Sequence, residues 1–224
     1  MSERPRAALA WILPFLAYVG LMGAEHALGV PVEIGYAARL AIVALVLVIF
    51  SRPLLRVRPS RPLTSVLIGF AVFVIWVGPD VVFGPGYRQL PLFNNAIVGR
   101  GGAPLSEALR QSFWFLFLRA AGSVIIVPIV EELFWRGWLM RWIINTDFQK
   151  VPLGEYAASA FWIVAVLFAS EHGPYWEVGL AAGIVYNWWL IRTRNLADCM
   201  LAHAVTNGVL AAWVVGRGQW QYWI

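Results

Sequence analysis

The chain has 224 residues, of which 60% are hydrophobic and only 13% charged, and its mean hydropathy is +0.69. A soluble domain carries about 25% charged residues, so the composition excludes an ordinary water-soluble fold and fits one membrane domain over residues 1–224. The net charge of +5 comes from 17 basic residues scattered mostly between apolar runs, with no basic stripe of the kind that binds nucleic acid, and the single Cys199 excludes an intramolecular disulfide or a Cys-based zinc site.

A bilayer core of about 30 Å takes roughly 20 helical residues to cross. Arg4 and Arg6 precede an uncharged run, Ala7–Ala24, which reads as an uncleaved first span because the Gly-Ala-Glu-His-Ala stretch at its end makes a poor cleavage site. Ile34–Phe50 and Leu63–Gly78 follow as the second and third spans. Pro79 to Ser106 is rich in Gly and Pro and reads as a long outer loop (residues 79–106) with room for a re-entrant piece. The fourth span, Ala120–Ile144, can begin as early as Leu109 and bend near Pro128, where a helix hydrogen bond is lost. Tyr156–Ser170, Tyr175–Ile191 and Leu196–Val215 complete the set. The expectation is an all-α bundle of seven transmembrane helices around a polar cavity, or eight if Pro128 breaks the fourth.

Charge asymmetry separates the two counts. With the N-terminus inside, Arg52, Arg56, Arg58 and Arg61 also fall inside, as do Arg141, Lys150, Arg192 and Arg194 if there are seven spans. Eight spans would move Lys150, Arg192 and Arg194 outside, so seven is preferred, with a cytoplasmic N-terminus in the cell's inner (plasma) membrane. Arg88, Arg100, Arg110 and Arg217 remain outside. Trp220, Tyr222 and Trp223 suit an interfacial aromatic belt, while Arg39 and Arg119 lie near span ends where a long side chain can snorkel.

Three polar clusters interrupt otherwise apolar helices. An ionisable residue at bilayer centre costs about 2.5–3.5 kcal/mol on insertion scales, so such groups face a bundle interior or a wet cavity. In Glu131-Glu132-Leu133-Phe134-Trp135-Arg136, the second glutamate and the arginine share a helical face and can pair, either as a helix lock or as part of a site. Glu131 points about 100° away and lacks that partner, which suits a general base or acid. Phe168 and His172 share a face at the end of the fifth span, and His203 and Asn207 share one inside the last. Taken singly, an interfacial histidine or an interhelical hydrogen bond explains each of the latter two. Together, one carboxylate, two imidazoles and one amide on three helices supply what water-driven peptide hydrolysis needs: a base, an orienting partner and oxyanion donors.

The order Glu131-Glu132-x-x-x-Arg136, Phe168-x-x-x-His172, His203-x-x-x-Asn207 resembles the CPBP family of intramembrane proteases over residues 128–207. That family includes the eukaryotic type II CAAX prenyl endopeptidase and many bacterial relatives, among them exosortase-associated members of similar size. The resemblance implies a catalytic core at 128–207 in which Glu131 activates water with help from His172. His203 and Asn207 would stabilise the oxyanion, and Glu132, Arg136 and Phe168 would support the site. It implies a glutamate-type enzyme without a cofactor, although Glu131, His172 and His203 are residue types that can ligate zinc; there is no His-Glu-x-x-His motif.

The expected substrate is a membrane-anchored protein or peptide cut near its end. The compact chain and its 16 Arg against one Lys point to a bacterial protein, and so away from a prenylated substrate. A non-catalytic scaffold or bacteriocin-immunity-type protein is the alternative; a proton-coupled carrier is disfavoured because no inverted repeat or pair of broken helices is seen. Beyond the bilayer and that substrate no partner is implied, and the oligomeric state is not encoded legibly. His172 and His203 approach from opposite membrane sides, so the Glu171–Trp176 connection is expected to dip inward; Glu171 has no assigned role beyond a solvated place at the cavity mouth.

Overall fold

The computed structural model describes residues 3–56, 58–84, 86–95 and 105–223, with side chains from residue 8 onward. The Arg4 and Arg6 side chains, Arg100 and the part of the expected outer loop at 96–104 lie outside what is described. Among the described residues there is no strand, and the chain is a multi-pass membrane bundle. The long helices are α1 (Glu3–Ala27), α2 (Val32–Ser51), α3 (Pro62–Phe83), then after a short α4 (Glu107–Gln111) α5 (Phe113–Ile144), α6 (Ala158–Ser170), α7 (Trp176–Thr193) and α8 (Leu196–Arg217). Five of them, α1, α2, α3, α5 and α8, are long and apolar enough to cross a membrane. The remaining two differ: α6 is apolar but has only 13 residues, and α7 falls short of the others in apolar character.

One boundary departs from expectation, and another falls within the range allowed for it. Helix α3 runs past Gly78 to Phe83, because Pro79 costs a helix only one hydrogen bond and the segment after it, Val81 to Phe83, is apolar and exposed. Helix α5 begins at Phe113, where Ser112 accepts a hydrogen bond from the Phe115 amide at 3.3 Å, and it runs without a break through Pro128. A wide π-helical turn, Gly122–Ile126, immediately precedes that proline and ends with the Val127 amide bonded five residues back to Gly122. Loosening the register there absorbs the carbonyl that a proline ring would strike. The eight-span alternative, which needed a break at Pro128, is not what the chain does.

The two arginines expected to snorkel are both turned inward. Arg39 is only 6% exposed, lies 3.5 Å from Glu25 of α1, and spreads its guanidinium over the rings of Tyr18 and Tyr36. Arg119 faces the central cavity described below. In each case aromatic faces close at hand substitute for the lipid headgroup region that a snorkelling side chain would seek.

The most extensive helix contact is between α3 and α8. It depends on Gly69: a methyl group there would stand 2.4 Å from the Ala202 carbonyl oxygen and 2.7 Å from Val205. Small residues at such a crossing let backbones touch, which is the main source of helix adhesion in lipid. At the other end of the same contact, the fully buried Asp198 of α8 accepts from the backbone amides of Ser60 (3.2 Å) and Arg61 (2.8 Å) and from the Ser65 hydroxyl (3.1 Å). Asp198 thus satisfies amide groups at the start of α3 that lipid could not. Positioned this way, α8 holds its polar face toward α5, α6 and α7.

Candidate active site

A second π-helical turn, Leu133–Leu139, follows directly on the two glutamates of α5. The glutamates point in different directions. Glu132 is fully buried, and its Oε1 accepts both from Arg136 Nη1 (3.2 Å) and from His203 Nδ1 of α8 (2.9 Å). Arg136, also fully buried, donates from Nε to Asn187 Oδ1 of α7 (3.0 Å), and Asn187 in turn donates to the Phe161 carbonyl of α6 (2.8 Å). The expected i,i+4 pair is therefore the hub of a network joining four helices.

Aromatic rings pack this network. The Arg136 guanidinium lies over the Phe168 ring at 4.3 Å and near Tyr186 at 5.5 Å, while His203 stacks on Tyr186 at 5.0 Å. Tyr186 donates to the Thr206 hydroxyl at 2.8 Å, so its own polar end is satisfied one turn along α8 from His203. Phe168, buried to 1% exposure, touches both histidine rings, with centroids at 4.8 Å from His172 and 6.2 Å from His203.

Glu131 faces the other way, into a cavity of about 220 Å³. Its Oε2 is buried and makes no hydrogen bond. Also on the cavity wall are Phe168, His172, His203 and Asn207, so the structure brings the expected residues of α5, α8 and the α6–α7 turn to one chamber. Glu132 and Arg136 stand behind that wall and hold it. Glu171 is exposed, as expected of a residue at the mouth, but its carboxylate is near enough to Glu131 for the two to repel.

The histidines meet through the shortness of α6. Thirteen residues rise only about 20 Å, so the helix ends inside the bundle's span and the tight Gly173–Tyr175 turn follows at once. His172 Nδ1 lies 2.7 Å from the Phe168 carbonyl, an oxygen that can only accept. Nδ1 therefore carries the proton, and Nε2 is left with a lone pair. The ring is walled by Trp76 of α3 at 5.1 Å and by α7, where Gly179 leaves just enough room: a methyl group there would stand 3.1 Å from the imidazole. On α8, Asn207 donates one amide hydrogen to the Ser123 carbonyl of α5 (2.7 Å), inside the first π turn, and keeps its second hydrogen free of that bond.

Sequence reasoning passed over several residues here. Tyr18, Tyr36 and Trp76 bring α1, α2 and α3 to the cavity, and Arg119 stands on its wall. Tyr186, Asn187 and Asp198 hold the helices that carry the histidines.

Residues 112–209 match the family model described as Type II CAAX prenyl endopeptidase Rce1-like. Over that segment the chain is similar to the CPBP family of type II CAAX endopeptidases. The match takes in α5 to α7 and most of α8, hence all seven residues singled out from the motifs; α1, α2 and α3 lie outside it. No curated protein and no solved structure matches the chain. Some CPBP proteins were long classed as metalloproteases. Among the described residues, no group of three or more His, Cys, Asp or Glu side chains is arranged to hold a metal ion.

Proposed function

We propose that this protein is an intramembrane endopeptidase that hydrolyses a peptide bond near the end of a membrane-anchored protein or peptide, with Glu131 as general base. The carrying observation is that Glu131, unbonded at Oε2, shares one cavity with His172, His203 and Asn207. Glu131 takes a proton from water while the lone pair on His172 Nε2 accepts a hydrogen bond from the same water and aims it. The oxygen attacks the carbonyl carbon, and the carbonyl π pair moves onto its oxygen as an oxyanion. Asn207, through its second amide hydrogen, donates to that oxyanion. His203 joins it from Nε2 when both ring nitrogens are protonated, Nδ1 then donating to Glu132. The C–N bond breaks as the oxyanion collapses, and the proton held by Glu131 passes to the departing amine.

The dipole of each donor is fixed by the packing behind it, which is the condition for electrostatic stabilisation of a transition state. The reading needs no metal. Orientation with the N-terminus in the cytoplasm of an inner membrane follows from the arginine distribution and belongs to the same proposal. The deciding experiment is cleavage of acyl-anchored peptides by purified protein in lipid nanodiscs, with Cys pairs placed at 131 and 203 in a separate crosslinking sample. Cleavage lost in Glu131→Gln, with crosslinking between the two helices, supports the proposal. Cleavage that persists in Glu131→Gln removes it in favour of a different base, and a protein that cuts nothing is better read as a scaffold.

A further inference from the structure

A second, larger cavity of about 850 Å³ adjoins the first. Its wall comes from the finishing ends of α3 and α8 (Asp80, Arg217), parts of 88–94, the 174–175 turn and the chain after α8. Helices α3 and α8 run parallel: Ser65 meets Asp198 (3.1 Å), Gly69 meets Ala202, and the Phe73 ring meets Trp213 (6.0 Å). Their starts therefore share one end of the bundle and their finishes the other. Arg52, Arg56, Arg58 and Arg61 lead into α3, and Arg192 and Arg194 lead into α8, which puts the shared starts in the cytoplasm by the positive-inside rule. Both cavities belong to the opposite half. Among the described residues the central cavity touches nothing on α8 before His203 and nothing on α3 before Trp76.

Two tyrosines stand between the cavities. Tyr222 lines both. Tyr175 lines the outer one, packs on Tyr222 at 5.5 Å and stacks at 6.3 Å on Trp76, the ring that walls His172. The Tyr222 hydroxyl donates to Asp80 Oδ2 (3.0 Å), Arg88 Nε donates to Asp80 Oδ1 (2.9 Å), and the Arg88 guanidinium covers Tyr175 at 4.3 Å. The partition is one of side chains latched at Asp80, and such rings change rotamer without moving the helices.

Resting on the endopeptidase reading and on the orientation given with it, we propose that the outer cavity is a substrate subsite. It receives an extended, polar stretch of peptide from extracytoplasmic water, next to the bond held over Glu131. At about 220 Å³ the central cavity is smaller than the roughly 300–1,000 Å³ of ligand pockets, so it takes the scissile bond and its water but not the chain to either side. The outer cavity falls within that range. Gln89, Asn94, Gln219 and Gln221 on its wall carry amides that both donate and accept, which matches the peptide groups of an extended chain whatever its side chains. Of its lining only Pro174 and Tyr175 fall within 112–209, so the subsite serves this chain's own choice of substrate, not the chemistry shared over that segment.

The test compares Gln219→Cys with Gln149→Cys, an exposed position in the connection between α5 and α6 at the cytoplasmic end; the native Cys199 is buried and so inert. In intact spheroplasts a membrane-impermeant sulfonated maleimide is expected to label Gln219→Cys, and to reach Gln149→Cys only after lysis. Glu131→Gln protein carrying either thiol, in phosphatidylcholine nanodiscs, is then offered palmitoyl-anchored peptides of randomised sequence bearing one pyridyl-disulfide cysteine. Disulfide exchange, which releases pyridinethione, should capture peptide about tenfold faster or more at Gln219→Cys, and an excess of the same peptides without the disulfide should compete. With Glu131 intact, a polyethylene-glycol maleimide on Gln219→Cys should raise KM for cleavage about tenfold over the same variant unlabelled, and on Gln149→Cys should change nothing. Competable capture at Gln219→Cys supports the subsite even if nothing is cut, in which event only the endopeptidase reading fails. Equal capture at the two thiols overturns it, and so does a labelled Gln219→Cys protein that cleaves with KM unchanged. Labelling of Gln149→Cys but not Gln219→Cys in intact spheroplasts overturns entry from the extracytoplasmic side.

Discussion

His203 Nδ1 stands 2.9 Å from Oε1 of Glu132, the same oxygen that Arg136 reaches at 3.2 Å. One atom therefore sets the pose of an imidazole from α8 and a guanidinium from α5. Neither donor is bonded to a second carboxylate, so this part of the cavity wall leans on one acceptor oxygen.

Removing it should be costly. Glu132→Gln leaves Arg136 buried with Asn187 as its remaining partner, and a broken buried ion pair typically costs about 3–5 kcal/mol. The expected outcome is a sharply lowered thermal unfolding temperature in detergent. The double change Glu132→Leu with Arg136→Met should recover much of that stability while cleavage stays absent; an unchanged melting curve for Glu132→Gln would show the pair to be dispensable.

Glu131→Gln is expected to behave in the opposite manner. Its Oε2 makes no protein hydrogen bond, so the isosteric amide leaves unfolding unaltered while cleavage falls by about 10²–10⁴-fold, the usual worth of a general base. Paired unfolding and peptide-cleavage measurements on the same preparation check both halves.

Gly69→Ala drives a methyl group against the Ala202 carbonyl oxygen at 2.4 Å, and backbone cannot swing aside as a side chain can. A destabilisation of about 1–3 kcal/mol is expected, with cleavage reduced as α8 shifts His203 and Asn207. Gly78→Ala on the same helix meets nothing within 4 Å and should be neutral or stabilising, which makes it the matched control. Equal effects from the two changes would refute the close-contact account.

Asp198→Ala strips the start of α3 of its acceptor. Hydrogen exchange at the Ser60 and Arg61 amides should speed up well ahead of exchange elsewhere in α3, with a stability loss of about 1–3 kcal/mol. Protection that survives the substitution would mean that water already serves those amides.

Cleavage should withstand metal chelation. Treating the purified protein with 1,10-phenanthroline, then dialysing, is expected to leave the rate unaffected; abolition that zinc alone reverses would replace the glutamate mechanism with a metal-assisted one.

The bundle, and the gathering of Glu131, His203 and Asn207 on one cavity, were largely readable from one contrast: these residues interrupt apolar runs long enough to span lipid. What escaped notice did so for physical reasons. Asn187 and Asp198 sit near helix ends, where a polar side chain ordinarily finds water, and nothing in the one-dimensional pattern says that α5 or α3 will cover them. Arg119 and Arg39 have stems long enough to reach an interface, so sequence position alone could not show that aromatic rings from α1, α2 and the C-terminal turn would claim them instead. The continuity of α5 was hidden because wide π turns leave no compositional mark, and helix-breaking by Pro128 was the default inference.

The brevity of α6 reaches beyond the protein. Its outer surface, with Trp162, Ile163, Val166 and Leu167 exposed, meets lipid along only about 20 Å, against a hydrocarbon thickness of about 30 Å. Acyl chains beside it must shorten or tilt, drawing headgroups and solvent toward the helix end that carries His172. On the proposed endopeptidase reading, the bilayer would be thinnest next to the reacting groups, and a substrate anchored in that leaflet would have less oil to cross before its backbone could be wetted and cut.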